Sequence, residues 1–208
     1  MSTYSSQPDD TTGVDAYISS DNATTNFGTS TLFQIGEWNG GTSVNRGILK
    51  FDLSSIPSNA VISDATLSLW VDGDLSSNAR TAEMFRVRRN WVESQVTWNV
   101  WSTSNNWTTA GAGDTTNDID STVCGSCSFT ASESAGTQKD FTLVVAELTK
   151  LIDGTYNNYG WLFKMQTETN DEYQMRSSSH ATSANRPKLV INYTVPVGTK
   201  HLTLLGVS

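Results

Sequence analysis

Charged side chains and long apolar runs are both scarce in this sequence. Only 16% of its 208 residues are Asp, Glu, Lys or Arg, and acidic residues exceed basic ones by 21 to 13, which gives a net charge of −8. A phosphate backbone repels a protein of this sign, so we expect no nucleic-acid partner. Since no run of about 18 apolar residues occurs, we also expect no membrane insertion.

The residues on which most hydrolases depend are also few. His180 and His201 are the only histidines, and no serine lies in a nucleophile-elbow pattern. A catalytic carboxylate pair leaves no signature in sequence because tertiary proximity decides it, and the 21 acidic residues make such a pair unspecific here. We therefore predict that the protein is not an enzyme.

Cysteine is limited to Cys124 and Cys127, which form a CxxC pair. Such a pair is typical of a local disulfide, half of a zinc site or a redox motif. The surrounding Ser and Thr residues do not indicate the strand-to-helix junction of a redox motif, and no second CxxC or nearby His completes a zinc site. A loop disulfide and two unremarkable thiols both remain open.

Ser and Thr are abundant, at 27 and 28 residues, and short runs of alternating apolar residues recur along the chain. Such runs, ended by Gly, Asn, Asp, Ser or Pro, predict β-strands. They lie at residues 31–36, 47–53, 65–71, 83–89, 159–165, 172–177 and 188–193. Seven strands predict an all-β fold of two packed antiparallel sheets. Residues 141–152 have helical spacing before Asp153 and Gly154, which predicts one short capping helix.

Three regions follow from this pattern. Residues 1–14 are a predicted polar arm, residues 15–195 the β-sandwich, and residues 196–208 an apolar tail. A solvated tail is seldom this apolar, so the tail is predicted to pair as a strand with its own domain or with a neighbouring subunit. Its predicted assembly residues are Leu202, Leu204, Leu205 and Val207.

Several motifs follow one another in a recognisable order. They are residues 15–18 (DAYI), 25–29 (TNFGT), 46–57 (RGILKFDLSSIP), 65–69 (ATLSL), 86–93 (RVRRNWVE), 96–99 (VTWN), 157–164 (NNYGWLFK) and 185–193 (NRPKLVINY). Together they resemble a DNRLRE-type domain. This family is similar to the noncatalytic carbohydrate-binding modules found beside alginate lyases, and the resemblance implies a jelly-roll β-sandwich.

Similar domains also occur in bacterial surface proteins and phage virion proteins, and this implies two functional expectations. The first is a noncatalytic surface or virion subunit, such as a decoration, fibre or filament protein, that acts in adhesion or assembly with copies of itself or with a lattice or fibre protein. The alternative is a free carbohydrate-binding module for acidic polysaccharide. No secretory signal is visible in residues 1–10, but both expectations imply an extracellular or virion surface location.

Basic residues lie opposite the strongest apolar positions in four predicted strands, which predicts a basic face. Arginine holds carboxylates through two parallel hydrogen bonds, so this face suits an acidic glycan. Alternatively, the nearby Asp52, Glu83, Glu93 and Glu172 neutralise it in a structural ion-pair network. The predicted face consists of Arg46, Lys50, Arg86, Arg88, Lys164 and Arg176.

Two loop features suggest ligand contacts of other kinds. Trp38, Trp101, Trp107 and Tyr156 fall in or beside loops, where an exposed ring stacks on a sugar; Trp38 is the preferred candidate because Asn39 and Gly40 suggest a hairpin tip. A loop Trp that folds back over the sandwich edge is the alternative. The oxygen ligands of residues 114–120 suggest a weak calcium site, and no other cofactor is expected. The calcium candidates are Asp114, Asp118 and Asp120.

Overall fold

The computed structural model describes residues 1–9, 11–38 and 42–196. Most of the regular structure is β-strand. These ranges also contain one α-helix, α1 (Val145–Ile152), and one 3-10 turn at Ser183–Asn185. Within these ranges, none of the helical segments could span a lipid bilayer. The strands are β1 (Ser2–Ser6), β2 (Val14–Ser19), β3 (Leu32–Trp38), β4 (Ser43–Lys50), β5 (Val61–Asp74), β6 (Arg80–Val87), β7 (Val100–Ser102), β8 (Asn105–Asn106), β9 (Ile119–Phe129), β10 (Gln138–Leu143), β11 (Trp161–Met165), β12 (Glu172–Arg176) and β13 (Lys188–Thr194).

Eight strands close into a barrel through antiparallel pairing. The order around the barrel is β5, β10, β9, β6, β11, β4, β3 and β12, and β12 pairs again with β5. Closure depends on the length of β5, which has 14 residues and pairs with β13 along its first half and with β12 near its end. The predicted all-β fold with one short helix is confirmed. The predicted jelly-roll sandwich of two packed sheets is not found in the described ranges, because hydrogen bonding joins eleven strands into one sheet that contains the barrel, while β7 and β8 pair only with each other.

The interior of the barrel is filled by aromatic and aliphatic side chains. In β11, Trp161 and Phe163 point inward while Leu162 points outward, as the alternation of side chains along a strand requires. The Phe163 ring packs edge-on against Phe33 and Phe141, with centroids 5.1 and 5.4 Å away. Burial of a side chain of this size contributes about 1.5–3 kcal/mol.

A second apolar cluster lies on the outside of the barrel. Residues 88–118, here the covering segment, fold over the outer face of β4, β6 and β11, where they bury Trp91 and Trp107. Each of these indoles donates a hydrogen bond to a backbone carbonyl, Trp91 to Tyr159 and Trp107 to Thr97, at 2.7 and 2.9 Å. The cluster consists of Ala16, Ile18, Ile48, Phe85, Val87, Trp91, Val96, Trp107, Ala112, Ile119 and Leu162.

Helix α1 begins later than the helical spacing predicts. Residues 141–143 complete β10, because Phe141 pairs with Leu67 of β5 and its ring lies in the barrel core. The helix then buries Leu148, Leu151 and Ile152 against the same core. Only the second half of the predicted helical segment therefore forms the helix that packs against the barrel core.

The two ends of the described chain meet in the sheet. Strand β1, within the predicted polar arm, pairs with β13, and the Tyr4 hydroxyl donates to the carbonyl of Asp52 at 2.7 Å. Strand β13 ends at Thr194. The predicted assembly residues of the tail, Leu202, Leu204, Leu205 and Val207, lie outside the described residues.

The two cysteines lie on one strand and are free. Cys124 and Cys127 belong to β9, where three residues of extended chain span about 10 Å, more than the roughly 7 Å between Cα atoms that a disulfide tolerates. Burial raises the pKa of both thiols to about 11, so little reactive thiolate forms near neutral pH.

We therefore expect both cysteines to stay reduced and to react slowly with iodoacetamide at pH 8 in the native protein. Intact-mass spectrometry checks this before and after unfolding in urea, where both thiols should alkylate rapidly. A native mass lower by two hydrogen atoms, restored by a reductant, would show that the pair is a disulfide.

Candidate functional site

The six predicted basic residues do not form one open face. Arg46, Lys50 and Lys164 share the outer face of β4 and β11, because they alternate with core residues of those strands. Arg86 of β6 lies directly opposite Trp161 of β11 in the strand register, and Trp161 faces inward, so Arg86 is not on the outer face. Arg176 lies on β12, which is not adjacent to β4 or β11 in the barrel. The structure thus brings three of the six together.

Carboxylates already hold most of these cations. The Arg46 guanidinium donates two hydrogen bonds to Glu168, at 2.8 and 2.7 Å, and a third to the carbonyl of Gly111 at 2.7 Å. It also lies 5.2 Å from the centre of the Trp98 ring. Arg46 therefore links the barrel to the covering segment, which is a structural role.

The remaining arginines of the predicted face are paired in the same way. Arg86, only 6% exposed, contacts Asp120 at 2.6 Å and lies 3.9 Å over the Tyr156 ring. Arg88 contacts the same Asp120 carboxylate at 3.9 Å, and Arg176 contacts Asp72 at 3.0 Å. Structural pairing is thus present, although the partners are not the acidic residues that sequence proximity suggested.

Lys50 and Lys164 are the members of the predicted face that form no ion pair within the described ranges. Their ammonium groups lie over aromatic rings, Lys50 at 6.0 Å from Trp91 and Lys164 at 5.1 Å from Phe85. Two lysines are too few for the extended basic face that an acidic polysaccharide requires.

The three calcium candidates are separately engaged by protein donors. Asp118 is fully buried and accepts backbone N–H bonds from Thr108 and Thr109 at 2.9 and 3.0 Å, with Arg89 at 3.4 Å. Asp120 faces Arg86, while Asp114 accepts the N–H groups of its own loop. Among the described residues, no three or more Asp, Glu, His or Cys side chains gather as metal ligands.

A polar cleft of about 390 Å³ opens beside Trp38, and we refer to it as the Trp38 cleft. Its lining comes from segments far apart in the sequence, which β-pairing brings together at one corner of the barrel. This lining contains Asp21 and Glu172 but neither Lys nor Arg. The lining residues are Tyr17, Ser19, Asp21, Asn22, Gln34, Trp38, Ser43, Asn45, Leu75, Glu172 and Gln174.

The corner requires a glycine. Gly36, two residues before Trp38, has a φ of +119°, and a Cβ atom there would lie 2.1 Å from the carbonyl oxygen of Asp171. Only glycine combines this backbone conformation with such a close approach. The next residue, Glu37, donates its N–H to the same carbonyl at 3.0 Å, which fixes the end of β3 against β12.

Two exposed apolar side chains lie in the cleft. Trp38 is 48% exposed and Leu75 is 42% exposed, although most large apolar side chains of the described chain are buried. Tyr17 lies deeper, where its ring stacks on Phe27 at a centroid distance of 4.2 Å and an interplanar angle of 16°. An exposed indole beside polar groups is the arrangement that stacks on the apolar face of a sugar ring.

Glu172 provides a buried carboxylate in the lining of the cleft. It is 3% exposed, and it accepts hydrogen bonds from Asn45 Nδ2 at 2.5 Å and Gln174 Nε2 at 3.1 Å. No Lys, Arg or His of the described ranges pairs with it. Burial raises the pKa of Glu172, against the lowering effect of the two amide donors. Burial, and secondarily the Glu172 charge, raises the pKa of Tyr17 to about 12.

Asn45 has an unmet hydrogen-bonding requirement in the same place. It is 4% exposed, and its Oδ1 has no hydrogen-bond partner within the described structure. A buried polar atom without a partner costs about 1–3 kcal/mol. In the described part of the chain, two further buried side-chain atoms without a partner, Arg80 Nε and Arg86 Nε, lie outside the cleft.

A larger cavity of about 720 Å³ lies beside the end of α1. Phe51, Leu53, Ile56, Leu151 and Ile152 form its apolar lining, and Lys50, Asp52 and Asn158 add polar groups. Unlike the Trp38 cleft, it contains no exposed aromatic side chain and no buried carboxylate without a cation. The Trp38 cleft is therefore the stronger candidate for ligand binding.

Of the residues proposed as sugar contacts, the structure leaves Trp38 exposed and buries Trp107. Sequence reasoning missed the rest of the cleft, including Tyr17, Asn45, Glu172 and Gln174. Glu172 and Gln174 are polar residues between apolar or buried strand neighbours, but this local pattern does not reveal that they meet Tyr17 and Asn45.

Comparison with known families places the chain beside a family of repeat domains. The family model described as the disaggregatase related repeat domain matches residues 15–191. A search among curated proteins finds no match to the chain. The matched range contains every strand of the closed barrel and all the residues that line the Trp38 cleft.

Proposed function

The chain belongs to the disaggregatase related repeat domain family, and we propose that it is a noncatalytic adhesion module that binds glycans through the Trp38 cleft. The observation that carries the proposal is an exposed indole next to a buried polar lining. This combination supplies both contacts that sugars use, stacking on the apolar ring face and hydrogen bonds to hydroxyl groups. The resemblance of the sequence motifs to DNRLRE-type domains, a family similar to noncatalytic carbohydrate-binding modules, supports the same function.

The protein works from a surface, as a subunit of a cell envelope or a virion, with copies of itself or a lattice or fibre protein as partners. A single open cleft of this size gives weak binding. Display of many copies raises avidity by about 10²–10⁴-fold without new contacts. Adhesion therefore requires array formation, to which the apolar tail, residues 196–208, contributes in this proposal.

Acidic polysaccharide is a weaker candidate ligand than the basic residues first indicated. Arg46, Arg86 and Arg176 already hold carboxylates of the protein itself, each at 3.0 Å or less. A uronate would have to displace these partners, and the cost would offset the gain. The Trp38 cleft requires no such displacement.

Trp38→Ala is expected to weaken glycan binding about tenfold, because an aromatic contact contributes about 0.5–1.5 kcal/mol in addition to the apolar area that it buries. Affinity electrophoresis through gels that contain mannan, galactan, glucan, alginate or polygalacturonate measures this. Trp38→Phe should keep most of the binding because it retains a stacking ring.

Val61→Ala is the matched control, since Val61 is 57% exposed and lies outside the cleft. It should migrate like the unmodified protein in every gel. Equal retardation of Trp38→Ala and the unmodified protein would overturn the proposed site, and an absence of retardation by every polysaccharide would overturn the proposed function.

A further inference from the structure

We infer that the Trp38 cleft selects sugars that present hydroxyl donors and carry no acid group, and that it rejects uronates. The inference rests on the proposed function and deepens it by naming the ligand class. It follows from three properties of the cleft: the sign of its charges, the direction of its hydrogen bonds and the depth at which its carboxylate lies.

The charges in the cleft are all negative. Asp21 and Glu172 are its ionisable acids, and no Lys or Arg is among its lining residues. A uronate placed over Trp38 would bring a third carboxylate to these two, without a cation to balance it. Opposition of like charges is an effective way for a binding site to reject a ligand.

Part of the donor capacity of the cleft is directed at its own carboxylate. Asn45 Nδ2 and Gln174 Nε2 each donate one N–H to Glu172, so these two amide groups have fewer donors left for a ligand carboxylate. The Asp21 and Glu172 carboxylates of the lining, when ionised, only accept hydrogen bonds. A ligand that donates hydrogen bonds therefore matches this lining, and the hydroxyl groups of a neutral sugar are such donors.

The depth of Glu172 makes its charge effective. Its side chain is 3% exposed, so little water screens it from a ligand bound above it. Charges in such places are screened by salt much less than surface charges. Discrimination against uronates should accordingly persist at physiological ionic strength.

The test compares ligand pairs that differ only in the acid group. Mannohexaose and its hexamannuronate counterpart form one pair, and methyl-esterified and de-esterified oligogalacturonate form another. Isothermal titration with the whole chain should give at least about tenfold tighter binding of the non-acidic member in each pair that binds. Glu172→Gln should narrow that ratio by gaining affinity for the acidic member, because the amide keeps the shape and removes the charge.

Glu83→Gln is the control for the loss of one negative charge, because Glu83 lies on β6, away from the cleft. It should leave the ratio unchanged, and the melting temperature of each variant verifies folding. Equal or tighter binding of the acidic member, lost in Trp38→Ala, would overturn this inference while the proposed function stands. An unchanged affinity ratio between the acidic and non-acidic ligands in a folded Glu172→Gln variant would also overturn the inference. If the protein bound neither ligand pair and no polysaccharide gel retarded it, the proposed function itself would be overturned.

Discussion

Trp107→Ala is expected to lower the free energy of unfolding by about 3–5 kcal/mol, the usual cost of emptying a large buried aromatic site. The Trp107 indole is 4% exposed, lies in the outer apolar cluster and donates a hydrogen bond to the carbonyl of Thr97 at 2.9 Å. Its removal leaves a cavity beneath the covering segment and an unpaired carbonyl. Equilibrium unfolding in urea, followed by fluorescence and circular dichroism, measures the loss.

Trp38→Ala is the matched comparison, because the same substitution is made at an exposed tryptophan. Its free energy of unfolding should stay within about 0.5 kcal/mol of the unmodified protein, as is usual for surface substitutions. The two variants should thus separate the roles of the two tryptophans, with stability lost at Trp107 and binding lost at Trp38. A loss below about 1 kcal/mol for Trp107→Ala would contradict the structural role of the covering segment.

Asp15→Asn is expected to stabilise the protein above neutral pH by up to about 3 kcal/mol. Asp15 is 2% exposed, and burial raises its pKa from 3.8 to about 6, helped by the Glu93 charge and opposed by hydrogen bonds from Ser178. A raised carboxyl pKa means that folding favours the protonated form. The stability that Asp15 contributes is therefore full below about pH 3.8 and is lost as the pH rises through about 6.

Asparagine keeps the shape and the acceptor for the Ser178 N–H, which donates to Asp15 Oδ2 at 2.8 Å, but it carries no charge at any of these pH values. Urea unfolding of both proteins at pH 4 and pH 7.5 isolates the effect. Near-equal stability at pH 4 and a more stable variant at pH 7.5 is the expected pattern. The contradicting result is a stability difference, variant minus unmodified protein, that is smaller at pH 7.5 than at pH 4. A raised pKa of Asp15 predicts the opposite change.

Much of the barrel is predictable because its strands bury alternating apolar residues. Runs at 47–53, 65–71, 159–165 and 188–193 each overlap an observed strand. Strand β9 (Ile119–Phe129) was missed inside a stretch assigned no periodicity, since most of its residues are Ser, Thr, Gly or Cys and its apolar alternation is weak. Closure through β5 and β12 was also missed, because pairing between strands about 100 residues apart leaves no local trace.

The basic face shows a different limit of sequence reasoning. Alternation correctly placed Arg46 and Lys50 on one face of β4, yet it gave no sign that residues 88–118 fold over that face. The same reasoning assigned ion-pair partners by proximity in the chain, whereas Arg46 pairs with Glu168, 122 residues away. Trp38 was found because an exposed aromatic at a strand end is a local feature, unlike the convergence of Asn45 and Glu172 beneath it.

An NMR titration of the indole N–H groups tests contact between a glycan and Trp38 most directly. The ligand is the neutral oligosaccharide of the polysaccharide that retards the protein most, and the Trp38 resonance is assigned by its absence from Trp38→Phe. The Trp38 signal should shift and saturate with the ligand, while those of the buried Trp91 and Trp107 stay in place. Saturable binding that leaves the Trp38 resonance unmoved would contradict the assignment of glycan binding to this cleft.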